Sequence, residues 1–241
     1  MIDFSWLSRT ELLIGRENIN TLSNAHVLIL GMGGVGSFAA EFIARSGIGR
    51  MTIVDGDTID PSNRNRQLPA LATNHGQRKV KIMAERLVSI NPELSLNVVD
   101  EFIRPEAIAQ LLDTDAHYVI DAIDSLTPKL TCLKTAHYKG LKLVSSMGAG
   151  GKLEPRQISV DDIPKTYNCP FAQQIRKQLR AEGIQKGLKV VFSTELPDKN
   201  SIMRTDGSNF KKSAYGTMSY LPAMFGATLA SVVIRDMIQN S

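Results

Sequence analysis

Cysteine is scarce: Cys132 and Cys169 are the only two, far apart and in no metal-ligand spacing. That excludes a disulfide framework and a paired-cysteine zinc site, and it favours a reducing compartment. Aromatic residues make up only 6% of the chain, and no cluster of them forms the stacking platform used by readers of single-stranded nucleic acid. Internal repeats and low-complexity tracts are absent. Long apolar runs are missing too. The most apolar late stretch, 218–234, is short for a membrane span and is broken by Ser219, Pro222, Gly226, Thr228 and Ser231. It reads as a buried core or dimer-interface helix, and no membrane span is expected. The first six residues carry an acid and no apolar run, so no signal peptide is expected and the expected location is the cytoplasm.

What is present is ordinary for a globular chain of 241 residues: 43% apolar and 22% charged residues, enough to bury a core without staples. The net charge of +4 permits an anionic partner without demanding one. Through residue 146, short apolar runs alternate with stretches of helical period. Strands are expected at 25–30, 51–55, 96–99, 117–121 and 141–145. Helices are expected at 35–46, with Phe38, Phe42 and Ile43 at helical spacing, and at 76–91, with Val80, Met83, Ala84, Leu87 and Val88 on one face. Two more fall at 105–112 and around 129–138. Near-continuous apolar strands alternating with helices predict a doubly wound α/β domain, Rossmann-like, with a mostly parallel sheet. After Ser146 the rhythm changes to short strands, loops and a terminal helix. The expected organisation is therefore a single domain over 1–241, with a nucleotide-binding core (1–146) and a β-rich extension (147–241) serving substrate or dimer contacts.

Gly31, Gly33, Gly34 and Gly36 stand between the first strand and the first helix. Glycines there let the backbone turn tightly and approach a phosphate, which the helix N-terminus favours. Asp55 lies nineteen residues beyond Gly36 at the end of the second strand, where a carboxylate accepts from ribose hydroxyls. This pattern alone does not choose between NAD, FAD and ATP. Further along, Asn63 is a neutral donor suited to a phosphate chain, Arg66 can fork onto a terminal phosphate, and Lys79 opens a helix with a further positive charge. Asp124 lies just past the carboxyl end of a strand, and a carboxylate among phosphates invites Mg²⁺. Each of these residues has a plainer reading as a surface charge or helix cap; together they supply what triphosphate chemistry requires.

Five ordered elements carry a resemblance: the glycine loop, Asp55-Gly56-Asp57, the run from Ser62 to Arg66, the run ending at Lys79, and Asp121 to Ser125. In these the chain resembles the E1-like ThiF/MoeB/HesA group of adenylate-forming enzymes, over essentially its whole length. The resemblance implies ATP and Mg²⁺ as cofactors, with Asp55, Asp57 and Ser125 at the nucleotide, Asn63, Arg66 and Lys79 at the phosphates, and Asp124 on the metal. It also implies a homodimer in which Arg9 reaches into the partner subunit's site, so that Arg9, Arg66, Lys79 and Asp124 act in catalysis. The missing cysteine pairs depart from the ThiF and MoeB branches, and there is no room for the catalytic-cysteine domain of the larger E1 enzymes.

Gly148 to Gly151 and Val191 to Glu195 are similar to the branch that dehydrates threonylcarbamoyladenosine in tRNA. A departure is Cys169-Pro170, where that branch is expected to carry an acid. The implied reaction adenylates the threonine-derived carboxylate, after which the neighbouring ureido group closes a ring. The alternative substrate is the C-terminal glycine of a ubiquitin-like sulfur-carrier protein. A dinucleotide oxidoreductase would leave Asn63, Arg66 and Asp124 without purpose, and a non-catalytic ATP-binding scaffold would release no pyrophosphate. A sulfur-transfer partner is compatible with the family but is not identified by any residue. Cys132 is expected in the core and Cys169 on an exposed loop. Between Lys165 and Lys189 six basic residues face one acid, and four more basics lie between Lys199 and Lys212. A helix over 171–180 would turn Arg176, Lys177 and Arg180 to solvent, a stripe equally suited to tRNA phosphates or to plain solvation.

Overall fold

The computed structural model describes residues 5–204 and 213–239. Seven strands form one sheet: β1 (His26–Leu30), β2 (Arg50–Val54), β3 (Ser95–Val99), β4 (Tyr118–Asp121), β5 (Leu143–Ser146), β6 (Ile158–Asp162) and β7 (Lys189–Ser193). Their order is β3-β2-β1-β4-β5-β7-β6. The six strands other than β6 pair in parallel, and β6 closes one edge antiparallel to β7. Two strands of the β-rich extension are thus integral to the main sheet. A small antiparallel hairpin, β8 (Ile202–Arg204) with β9 (Ser213–Tyr215), stands apart.

The central strands are buried on both faces, and their alternate residues feed two separate cores. Val27, Ile29, Met51, Ile53, Ile120 and Val191 join one core with α2 (Gly36–Arg45), α3 (Lys79–Ile90) and α7 (Tyr220–Ile238). Leu28, Leu30, Val54, Val119, Val190 and Phe192 join the other with α4 (Pro105–Leu111), α5 (Leu126–Lys139) and α6 (Pro170–Ala181). This is the period-2 alternation expected of a sheet covered by helices on both sides. The α7 helix is apolar and long enough to cross a membrane by composition alone, yet Leu221, Phe225, Leu229 and Val233 are buried in the first core. It crosses α2 closely: a Cβ on Gly226 would lie 2.5 Å from the Val35 carbonyl oxygen.

Sequence periodicity gives no sign of the first helix, α1 (Ser8–Ser23). It is two helices joined at Gly15, whose φ of 80° and ψ of 161° break the spiral. The break brings Leu7 and Ser23 together around Gly47, Ile48 and Gly49, at the amino end of β2. Leu12 and Leu13, just before the break, are 84% and 85% exposed. Two other side chains depart from expectation: Phe42 and Val88 lie on the exposed sides of α2 and α3 instead of in the core.

Candidate nucleotide site

The strand order reverses between β1 and β4, and the crevice beyond their carboxyl ends is where open α/β sheets bind ligands. Two turns form its walls. The first follows β1. Gly31 has a φ of 95°, and a Cβ there would lie 3.0 Å from the Ala122 carbonyl oxygen, so the two turns touch. A Cβ on Gly36 would fall 1.8 Å from the Gly31 oxygen. These glycines are demanded by the turn itself. Gly33 is different: its nearest neighbour would be Gln67 Nε2 at 4.0 Å, so packing leaves room for a side chain. Its bareness keeps the loop open to something else. At the loop's far end the Ser37 hydroxyl donates to the Gly33 carbonyl at 2.6 Å.

Asp55 ends β2 beside this loop. Its Oδ2 accepts from the Met32 amide at 2.7 Å and its Oδ1 from the Asp57 amide at 2.7 Å. Burial pushes the Asp55 carboxyl above its ordinary range, opposed by Lys79 and by these two amides. The side chain of Lys79, expected to reach toward phosphate, is buried and donates to Asp57 Oδ2 at 2.8 Å. Asp57 and Lys79 are therefore brought together, at the mouth of the site, as an ion pair.

The segment after β2 folds back over the glycine loop. A short turn of 3₁₀ helix over Pro61–Asn63 is capped by Asp60, which accepts from the Ser62 amide, while Asn63 Oδ1 accepts from the Asp60 amide. That leaves the Asn63 amide group to donate. Backbone bonds from Arg66 and Gln67 to Asn63 O continue the turn. Arg66 is carried against Gly34, its carbonyl oxygen 3.1 Å and its Cγ 3.4 Å from where a Cβ would stand. Its guanidinium is steadied by Ser62 O at 2.9 Å and Asn65 Oδ1 at 2.8 Å. Beside it, Gln67 Oε1 is buried and unpartnered. Gln67 was not marked by sequence reasoning; its adjacency to Gly33 depends on this fold-back.

The second wall is the turn from β4 into α5, which carries Asp124 on the surface and Ser125 as the residue preceding the helix. Among the described residues no three acidic, histidine or cysteine side chains converge on a metal position. A divalent ion here would rest on Asp124 together with phosphate oxygens, the manner in which Mg²⁺ is usually held. The donor set fits a magnesium–nucleotide complex: an open glycine loop, a forked cation and one exposed carboxylate.

Arg9 is not brought to this cluster by its own chain. It lies exposed in the first turn of α1, two residues beyond Leu7, and a Cβ on Gly47 would meet Leu7 Cδ1 at 2.4 Å. That anchor is at the amino end of β2, whereas the glycine loop is at the carboxyl end of β1. Other residues correct the sequence reading. Cys169 is only 5% exposed and precedes α6, with its Sγ facing Gly148; Cys132 is buried in the second core as expected. Arg176 is half-buried and donates to Thr166 O at 2.7 Å, so of its helix's basic residues only Lys177 and Arg180 are exposed. Lys165 pairs with Asp161 and Lys189 with Asp236. Lys199 is exposed, Lys211 and Lys212 lie outside the described residues, and of Arg204 only the backbone is described. A buried lysine that no sequence signal marked, Lys152, follows the Gly148–Gly151 turn; it donates to Ser193 O at 2.7 Å, and burial holds its ammonium below the usual range.

Comparison with known proteins gives this geometry a family. A relative from Bacillus subtilis (strain 168), tRNA threonylcarbamoyladenosine dehydratase, is 40% identical over 240 residues, covering 97% of this chain and 94% of the relative. The crystal structure of Escherichia coli tRNA N6-threonylcarbamoyladenosine dehydratase in complex with ATP superimposes with a TM-score of 0.89 at 36% identity, covering 100% of this chain and 98% of that one. Molybdopterin-synthase adenylyltransferase of Salmonella typhimurium is 32% identical, but over only 64% of this chain and 60% of its own length. The ThiF family model matches residues 7–240, and the chain belongs to the ThiF family.

Proposed function

We propose that this chain is an ATP-dependent tRNA threonylcarbamoyladenosine dehydratase that works through an acyl-adenylate. The observation that carries the reading is the fold-back of residues 61–67, which packs the Arg66 backbone and Cγ against Gly34, with its guanidinium steadied by Ser62 and Asn65, beside a glycine loop left open at Gly33. A forked cation against a glycine turn is suited to a phosphate chain. The two full-length relatives, one of them solved with ATP, support the same activity.

In the proposed reaction the threonine-derived carboxylate attacks the α-phosphorus, and the bond to pyrophosphate breaks. The ureido group of the same modified base then attacks the acyl carbon, loses its proton and expels AMP. ATP cleavage thus removes one water from the base. Asp55 holds the ribose, Arg66 and Lys79 neutralise the departing phosphates while the Asn63 amide donates hydrogen bonds to them, and Gly31, Gly33, Gly34 and Gly36 admit them. Lys79 would exchange Asp57 for phosphate as the nucleotide enters, with Asp57 and Ser125 completing the nucleotide's surroundings. Mg²⁺ bound at Asp124 would supply further charge neutralisation. Because the second nucleophile belongs to the substrate, no protein thiol is required, and the burial of both cysteines agrees. Proximity within one molecule supplies much of the rate.

The site is composite in this reading, and the chain is a cytoplasmic homodimer. The supporting observation is the anchoring of Leu7 at the opposite end of the sheet from the glycine loop. A five-residue strand separates those ends by about 16 Å, beyond the span of one arginine side chain. Arg9 therefore serves a second subunit, and the exposed Leu12 and Leu13 beside it offer apolar contact area. Residues 1–146 supply nucleotide binding, and 147–241 supply substrate contacts and dimer contacts beyond those of the first helix. Exposed Lys177, Arg180, Lys186 and Lys199 are among the described basic side chains available to tRNA phosphates.

The test is pyrophosphate release with three carboxylate donors: threonylcarbamoyl-modified tRNA, the same tRNA unmodified, and a sulfur-carrier protein ending in Gly-Gly. Release with the modified tRNA alone is expected, and it is expected to disappear in Asp124→Ala. Release with the carrier alone would transfer the adenylation to the other substrate.

A further inference from the structure

The turn that carries Asp124 and Ser125 stands on a charge pair sealed from solvent. Lys129 and Asp121 are both 0% exposed, and Lys129 Nζ donates to Asp121 Oδ2 at 2.6 Å. The ammonium also donates to Ser145 Oγ at 3.0 Å, and the Ser145 hydroxyl donates to the same Asp121 oxygen at 2.7 Å. The Phe171 ring stands 6.0 Å from the ammonium. Asp121 and Ser145 are register partners across β4 and β5, while Lys129 comes from α5, so three elements meet at this point.

The pair is not explained by stability. Two charges removed from water lose hydration that their mutual attraction only partly restores, and apolar residues of similar volume often replace such pairs without loss. What the pair does locally is specific. The other Asp121 oxygen, Oδ1, accepts from the Ile123 amide at 3.0 Å, one residue before Asp124. At the helix start, Ser125 makes no side-chain capping bond, so the usual lock on this turn is missing. The Lys129 amide closes the first turn of α5 onto Ser125 O at 3.3 Å.

We infer that Lys129 is a positioning residue for the nucleotide site: by holding Asp121 Oδ2 together with Ser145, it aims Oδ1 at the Ile123 amide and so fixes the turn that presents Asp124. The inference rests on the proposed role of Asp124 at the magnesium–nucleotide complex. Its local part, the clamp on the turn, is independent of that role.

The test removes both charges while leaving a side-chain oxygen to accept from the Ile123 amide, Asp121→Asn with Lys129→Met. Two properties are then measured: amide exchange over residues 121–125 without nucleotide, and the Mg²⁺ dependence of ATP binding by calorimetry. A clamp predicts a variant with near-normal melting temperature, faster exchange across the turn, and a Mg²⁺ requirement raised about tenfold or more, as for loss of a residue that orients a metal ligand. A folded double variant with unchanged exchange and Mg²⁺ dependence overturns the inference. If the double variant does not fold, Ser145→Ala, which removes only the shared hydroxyl, is expected to move both properties in the same direction by less; no movement overturns it. Asp124→Ala separates the two ideas. Should that variant keep wild-type Mg²⁺ dependence, the metal role of Asp124 falls, and amide exchange alone decides the clamp.

Discussion

Gly33 and Gly36 stand three residues apart in one loop for different reasons. A Cβ on Gly36 has no place, lying 1.8 Å from the Gly31 oxygen, whereas one on Gly33 would meet nothing nearer than 4.0 Å. Gly33→Ala is therefore expected to melt close to wild type while its ATP affinity falls on the order of tenfold, about 1.4 kcal/mol, measured by calorimetry. A normal affinity would show that the ligand does not approach this face. A second residue-scale prediction concerns Asp115, far from the site. Hydrogen bonds from Arg50 and His26 lower its carboxyl from the ordinary 3.8 to about 2. The depressed folded value means its contribution to stability is complete above pH about 4 and is lost as pH falls toward about 2. In Arg50→Met the Asp115 midpoint, followed by NMR, should rise toward the ordinary value; a midpoint that stays near the wild-type value would remove Arg50 as the main cause. What could be read at this scale was local. The glycine loop and Asp55 follow one another at a spacing that encodes strand, turn and helix, so their meeting at the carboxyl ends of β1 and β2 was legible. The link between Asp121 and Ser145 was not, because it arises from pairing of two strands whose members are 24 residues apart. The exposure expected for Cys169 failed for a related reason: its polar neighbours Tyr167 and Asn168 suggest a surface loop, but the thiol itself turns in against Gly148.

At the scale of elements, the nucleotide site depends on how α7 lies across α2. Pro222 of α7 would stand 3.2 Å from a Cβ on Gly34, and Gly226 one turn on lets the Val35 carbonyl approach. The helix that opens from the glycine loop is thus braced by the end of the chain. Gly226→Ala should force the two helices apart and cost about 1–3 kcal/mol of stability, as overpacking usually does, with ATP affinity falling alongside. A variant with an unchanged melting temperature would show that the crossing can relax. The helices and strands up to residue 146 were legible because continuous apolar runs and helical periods alternate cleanly. The first helix was not. Gly15 divides it, and Leu12 and Leu13 face outward, so the apolar periodicity that would reveal a packed helix is absent. The extension was legible as β-rich, but the entry of β7 beside β5 was not, since only tertiary pairing decides which strand takes that position.

At the scale of the whole molecule, the proposal makes two chains the working unit. Leu7, two residues before Arg9, is anchored at one end of the sheet, and Asp124 stands at the other. Mixed dimers of Arg9→Ala with Asp124→Ala subunits should recover part of the activity that each variant lacks alone, because one of the two shared sites is then intact. Confirmed mixed dimers without recovery would argue that Arg9 acts within its own chain or has no part in catalysis. The central claim, that the carboxylate activated by ATP belongs to a modified base in tRNA, is tested most directly by mass analysis of nucleosides. Threonylcarbamoyl-modified tRNA would be incubated with the protein, ATP and Mg²⁺, digested and weighed. The account predicts loss of one water from the modified nucleoside, dependent on ATP and absent in Asp124→Ala; an unchanged nucleoside mass, with ATP shown to bind, would contradict it.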